Sequence, residues 1–316
     1  MLYRKLGKSG LKISAISLGS WQTFGQSVDD ETTTACVKEA FDAGINCFDG
    51  AEVYGMGKSD EAMGRAFAKL GLPREEIILS GKVFRCGTHD GVKGLSKKRL
   101  RDGCDLTLKR FGTDYLDLYL CHRPDPDTPI EEIVVTMNRL IDQGKVLYWG
   151  TSEFDPSVLL EMWTFAEANG LDGPIVEQTG YNMLGRDRIE NQLEPLFANH
   201  GMGSMVYSPL AGGILTGKYN EGVPEDSRIG AKPEEKRSQQ LSEDRLGKSR
   251  KIGTIAKDLG ISQAHLALAW NLSNPYVSTC LTGATRPEQI GENVKAVDAV
   301  EKITPEMKER IEEVLA

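Results

Sequence analysis

Asp49, Tyr54, Lys82 and His122 are the side chains of this sequence whose types and placement combine into one chemistry. Asp49 lies in the run INCFDGA (45–51) and Tyr54 follows it; Lys82 is near the end of IILSGKVF (77–84), and His122 closes YLDLYLCH (115–122). A phenol with a pKa of about 10 is a poor acid at neutral pH, but an ammonium beside it stabilises the phenolate and lowers that pKa. Lys82 can supply the ammonium, and Asp49 the carboxylate that keeps it ionised and oriented. An imidazole N–H from His122 can polarise a substrate carbonyl. The set has no nucleophile of its own, so it suits a reduction in which a cofactor brings hydride and the protein brings the proton. Each residue also has a plainer reading: Lys82 and Asp49 as an interior ion pair, Asp49 as a helix cap, Tyr54 stacked on a loop, His122 as a satisfied rim histidine. The weight comes from four suitable types falling at the ends of neighbouring apolar runs.

Those runs define the scaffold. Besides the three above, ISAISLGS (13–20), VLYWGTS (146–152), PIVEQ (174–178), GSMVYSPL (203–210) and VSTCLTG (277–283) are short β-type segments. Helical windows lie between them, with start and stop signals such as Ser96 and Gly112, Pro129 and Gly144, or Asp155–Pro156 and Gly170. Strict alternation implies parallel strands with helical crossovers. No G-x-G-x-x-G follows the first run, and about eight units in this length match a closed barrel better than an open sheet. The expectation is an α/β chain in which residues 1–316 form a single (β/α)8 TIM barrel, with LYRKLGKSGLKIS as a β-hairpin closing the bottom. The polar stretch from Gly217 to about Lys248 is expected to be a mobile loop or a lid. In such a barrel, chemistry belongs where strands end. That also places Ser20, Trp21, Ser152, Gln178, Tyr207, Ser208 and Gly283 at the mouth.

Composition narrows the partners. A hydrophobic fraction of 40% excludes disorder over most of the chain, and a net charge of −8 opposes nucleic acid or an anionic membrane as partner. The six cysteines form no C-x-x-C pair, and no apolar stretch approaches membrane-spanning length. With no signal peptide evident, a reduced, cytoplasmic protein without disulfides or membrane insertion is expected. The four histidines, His89, His122, His200 and His265, are scattered, so no metal site is expected and a metal-dependent hydrolase is a weak alternative.

FDGAEVYGMGKSDEAMG, the Lys82 run, LCHRPDPDTP and YWGTSEF resemble the corresponding segments of the aldo-keto reductase superfamily. Within it, LYRKLGKSGLK, HRPDPDTP, SPLAGGILTGKY and EQIGEN are similar to the β-subunits of voltage-gated potassium channels and their microbial relatives. The resemblance covers nearly the whole chain. It implies NADPH as cofactor, reduction of aldehydes or ketones, Tyr54 as proton donor tuned by Lys82 and Asp49, and His122 as the carbonyl-orienting group. For the cofactor it implies Ser152 and Gln178 at the nicotinamide carboxamide and Tyr207 stacked on its ring. Ser208, Pro209, Leu210, Ala211, Gly212, Lys218 and Arg228 fall along its phosphates. Gly283, Thr285, Arg286, Gln289, Glu292 and Asn293 fall at the adenosine end, and Ser20, Trp21 and Asp49 complete the expected contacts. Besides Tyr207, which stands for a tryptophan, three positions depart from the channel subunits: His122 replaces asparagine, Arg286 replaces asparagine, and Glu153 replaces arginine. The first favours turnover over a cofactor-sensing role on a channel, which is the alternative. The second favours NADPH over NADH, and the third opposes an anionic substrate. Trp21, Tyr54 and Phe84 suggest an aromatic or apolar aldehyde, and relatives in this branch form tetramers or larger rings.

Overall fold

The computed structural model describes residues 1–85, 92–225, 227, 229–230 and 233–316. Two short strands open the chain, β1 (Tyr3–Lys5) and β2 (Lys12–Ser14), paired antiparallel with Tyr3 opposite Ser14. Eight parallel strands follow: β3 (Ile16–Gly19), β4 (Cys47–Asp49), β5 (Ile78–Val83), β6 (Leu116–Cys121), β7 (Val146–Ser152), β8 (Val176–Gly180), β9 (Gly203–Tyr207) and β10 (Val277–Thr282). Each pairs with the next in sequence, and β10 pairs back onto β3 with Cys280 opposite Ile16, so the sheet closes. Seven lie within a run expected from the sequence, β8 extends two residues past its run of 174–178, and the closed sheet is the expected (β/α)8 barrel.

Helices α1 (Asp30–Asp42), α2 (Lys58–Leu70), α3 (Lys97–Phe111), α4 (Ile130–Asp142), α5 (Pro156–Ala168) and α6 (Glu194–His200) fill successive crossovers. After β9 come α7 (Glu234–Gln240), α8 (Glu243–Asp258) and α9 (Gln263–Leu272), and after β10 α10 (Pro287–Val294) and α11 (Pro305–Leu315). Caps agree with composition: Ser96 accepts from the Arg99 amide at 3.3 Å at the start of α3. Strands β5, β6 and β10 are buried at every residue, as a sheet covered on both faces requires. Along β6 the period of two sends Leu118 and Leu120 into the barrel and Tyr119 and Cys121 against the helices.

The interior cluster of Cys47, Ile78, Leu118, Leu120, Val176, Met205 and Leu281 is completed by Leu6 and Ile13 of the hairpin. The hairpin therefore closes the bottom, as expected, and polar contacts fix it there. Arg4 donates to the carbonyls of Leu272 (2.5 Å) and Val277 (2.8 Å), and the Ser14 amide donates to Asn46 Oδ1 (2.8 Å). Its turn admits only glycine at Gly7, where φ is +58° and a Cβ would stand 2.4 Å from the Gly201 carbonyl.

The Gly217–Lys248 stretch is not the plain loop that was one of the two expectations for it. It contains α7 and the first turns of α8, and Tyr219 and Ile229 are buried, with the Ile229 amide donating to the Tyr219 hydroxyl at 3.3 Å. Acidic residues in both first turns and the Ser242 cap explain helix formation in so polar a segment. Arg228, Cys86 and His89 lie outside the described residues. The five described cysteines are free and buried. No helix among the described residues is long and apolar enough to cross a membrane.

Candidate active site

Strands β4, β5 and β6 end at the top of the barrel, and with them Asp49, Lys82 and His122. Lys82 and Asp49 point inward and are essentially inaccessible, at 0% and 2% exposure. The Lys82 Nζ donates to Asp49 Oδ2 (2.6 Å) and to the Gly50 carbonyl (2.7 Å). It also lies 5.0 Å from the centre of the Tyr54 ring, close enough for its charge to act on the phenol. Asp49 is held from its other side: Oδ1 accepts from Ser80 Oγ (2.9 Å) and Gln178 Nε2 (3.1 Å). The half-buried Tyr54 lies in the loop after β4, edge-on to His122 with ring centres 5.8 Å apart. The four expected catalytic residues therefore meet in one place.

The electrostatics divide the work among them. Burial pulls the Lys82 ammonium toward deprotonation, but Asp49 and Tyr54 overcome it, and the pKa ends above that of a free lysine. For Tyr54 the expectation of a lowered pKa is corrected: burial raises it, and the opposing pull of Lys82 is the smaller effect. The phenol keeps its proton at neutral pH while sitting beside an ammonium ready to stabilise its anion. His122, buried and next to the charges of Lys82 and Arg123, is pushed down to about 2. A neutral imidazole carries one N–H and can donate it without competing as a strong acid.

Backbone strain concentrates at this mouth. The non-glycine residues with positive φ among those described are Gln22 (62°), Met56 (56°), Glu153 (63°), Ser208 (53°) and Ala211 (49°). All lie on loops that follow barrel strands β3, β4, β7 and β9. Such conformations cost about 1–3 kcal/mol each and gather where the backbone must present itself to a ligand. Around Ser208–Gly213 the chain folds back on itself, with the Ala211 amide on the Ser208 carbonyl (2.9 Å). A Cβ on Gly212 would have nothing closer than Ile229 Cδ1 at 4.0 Å, so that loop faces open space, and exposed Lys218 lies over Gly213.

The remaining expected cofactor residues fall into two groups. Ser152 and Gln178 are buried at the ends of β7 and β8, beside half-buried Tyr207 at the end of β9. Ser152 Oγ accepts from Arg123 Nη1 (3.2 Å), and the Gln178 amide nitrogen is committed to Asp49, leaving its oxygen as an acceptor. Trp21 is 47% exposed at the rim. Ser20 is fully buried with its hydroxyl on the Asp49 carbonyl (3.0 Å), while Pro209 is buried and Leu210 half-buried in the β9 loop. Beyond β10, Gly283, Thr285 and Arg286 are exposed, and Arg286 is the N-cap of α10. Gln289 Oε1 accepts from the Thr285 amide (2.8 Å), Glu292 pairs with Lys295 (2.5 Å), and Asn293 is half-buried. An arginine above a helix N-terminus is a phosphate-receiving arrangement.

Several contributors were not foreseen. Ser80 shares the inward face with Lys82 two residues on, a spacing that the strand period makes readable. Glu52, fully buried, accepts from the Phe84 amide (2.7 Å) and pairs with Arg99, tying the Tyr54 loop to α3. Glu153, expected to oppose anions, has its carboxylate occupied: Oε1 accepts from Thr179 Oγ1 (2.8 Å) and the Tyr207 hydroxyl (3.0 Å), and Arg188 lies 3.7 Å from Oε2.

A parallel eight-stranded barrel with a buried lysine between an aspartate and a phenol at its top defines a class, and comparison with known families agrees. The chain belongs to the aldo/keto reductase family, whose model matches residues 15–316. Aldo/keto reductases are oxidoreductases that generally bind a nicotinamide dinucleotide, so a general oxidoreductase role comes with membership. Among its relatives is an Arabidopsis thaliana protein named as a probable voltage-gated potassium channel subunit beta, 46% identical over 317 residues that span 100% of this chain and 97% of the relative. A protein of the same name from Oryza sativa subsp. japonica is 44% identical over the same shares.

Proposed function

We propose that the protein is an NADPH-dependent reductase of aldehydes and ketones in which Tyr54 donates the proton to the carbonyl oxygen. The observation that carries this reading is the buried Lys82, hydrogen-bonded to Asp49 and lying beside a phenol that burial keeps protonated. Reduced nicotinamide, when bound, supplies the hydride. The chain's own groups do the rest. His122 offers a neutral N–H to the carbonyl oxygen, Tyr54 releases its proton to that oxygen, and Lys82 stabilises the phenolate left behind. Tyr207 offers a ring face for the nicotinamide, with Ser152 and the Gln178 oxygen for its carboxamide. The strained Ser208–Gly212 backbone and Lys218 suit the pyrophosphate, and exposed Arg286 at the N-terminus of α10 suits a 2′-phosphate. Trp21, Tyr54 and Phe84 favour an aromatic or apolar aldehyde.

Tyr54→Phe tests the assignment, since it keeps the ring and removes the acid. Turnover of an activated aldehyde, followed by NADPH absorbance, falls about 10²–10⁴-fold while NADPH binding persists; turnover near that of the wild type refutes it. A second reading, a cofactor-sensing potassium channel subunit, is favoured by the names of the relatives. A pull-down with channel cytoplasmic domains tests it.

A further inference from the structure

Arg123 follows His122 directly where β6 ends, and its side chain is exposed. Its described hydrogen bonds go to neutral oxygens and use one nitrogen: Nη1 donates to the His122 carbonyl (2.5 Å) and to Ser152 Oγ (3.2 Å). Nε and Nη2 are uncommitted among the described residues, and that edge is the one a guanidinium presents to a carboxylate in a two-point contact. The acids on the neighbouring strands do not neutralise it. Glu177 accepts from Thr151 Oγ1 (2.5 Å) and the Phe154 amide (3.0 Å) and pairs with Arg188, while Glu153 is taken up by Thr179, Tyr207 and Arg188. The positive charge is felt at the reacting groups themselves, where it disfavours protonation of His122 and favours ionisation of Tyr54 and Tyr207.

We propose that Arg123 is a specificity-determining residue that receives the carboxylate of an anionic carbonyl substrate, such as an oxo acid or a carboxyl-substituted aldehyde, while His122 and Tyr54 engage its carbonyl. This rests on the reductase reading and narrows it, and it replaces the expectation that Glu153 repels anions. The tether to the His122 carbonyl holds the guanidinium beside the carbonyl-orienting imidazole. The longer Ser152 contact is the one a bound carboxamide would compete for, leaving the Nε and Nη2 edge directed to substrate.

The test compares 4-carboxybenzaldehyde with its neutral methyl ester, which has a similar ring and the same reacting aldehyde. Reduction of both by NADPH is measured for wild type, Arg123→Met and Arg123→Lys, at low and high salt. The expected result is a kcat/KM at least tenfold higher for the acid in the wild type. Arg123→Met reduces that ratio tenfold or more, chiefly through KM; Arg123→Lys recovers part of it, and salt weakens it. A wild type that favours the ester or shows no preference overturns the proposal, as does a ratio that Arg123→Met leaves unchanged. If the wild type reduces neither compound, the reductase reading itself fails and takes this inference with it.

Discussion

Removing the charge of Lys82 by Lys82→Met strands the Asp49 carboxylate in a site where its side chain is only 3% exposed. Its remaining donors are the Ser80 hydroxyl and the Gln178 amide, both neutral. Breaking a buried ion pair from one side costs about 3–5 kcal/mol, because the surviving charge is neither solvated nor compensated. At about 2 °C per kcal/mol for a chain of this size, the midpoint of thermal unfolding falls by roughly 6–10 °C. Asp49→Leu alone leaves the Lys82 ammonium with the Gly50 carbonyl as its acceptor, beside the Tyr54 ring, and a similar loss is expected. The double variant Lys82→Met, Asp49→Leu removes both charges and fills their space with apolar atoms, so stability returns to within about 1 kcal/mol of the wild type. Urea unfolding followed by circular dichroism gives the three stabilities, and aldehyde reduction is assayed on the same preparations. The double variant should be stable and inactive. Single variants losing less than about 1 kcal/mol would show that the pair is not desolvated as described. A stable double variant that still turns over would show that the pair is structural and has no part in the proton transfer.

Two other perturbations follow from burial and charge. Burial pushes the Asp60 carboxyl up to about 7, from 3.8 when free, so its neutral form stabilises the fold fully below the lower value and that contribution is lost as pH rises through the higher one. Asp60→Asn should therefore gain stability over the wild type as pH is raised from 4 to 8, on the order of 4 kcal/mol at the top; parallel urea midpoints across that range would refute the shift. Arg286→Ala should reduce the preference for NADPH over NADH by about tenfold or more, the loss of one charge-assisted phosphate contact. Steady-state rates with the two cofactors measure it, and an unchanged preference removes Arg286 from the 2′-phosphate site.

How far the sequence carried these conclusions depended on whether a property is local. Strands β3 to β10 were legible because each is a short apolar run bounded by turn residues, and the helix ends because Ser96, Pro156 and Gly112 act within one turn. The catalytic set was legible for the same reason, one candidate per strand end. Helices α7 and α8 were hidden by composition: no residue of α7 is buried, and the buried residues of α8 lie mainly beyond Lys248, where the polar stretch ends. The Ser242 cap was the available signal. The direction of the Tyr54 pKa was misjudged because the Lys82 charge is visible in a sequence, whereas the burial that outweighs it is a product of packing. The Gln178–Asp49 contact joins residues 129 apart, and the engagement of Glu153 by Tyr207 joins residues 54 apart. The first reaches across the barrel and the second across β8, and no local pattern records either placement.

That closure also shapes how the protein can be made. Arg4 donates to the Leu272 carbonyl across a separation of 268 residues, and β3 finds its second neighbour only when β10 is present. During vectorial synthesis the first barrel strand therefore leaves the ribosome with one edge open. It keeps that edge unpaired until nearly all the chain has been translated. Such non-local pairing is slow and exposes strand edges that invite association with other chains. The hairpin, whose Leu6 and Ile13 enter the barrel interior, cannot be fully seated before β10 arrives to bound that interior. The last barrel strand is thus the latch for the first, and truncating the chain before it should release a sticky, incomplete sheet instead of a smaller enzyme.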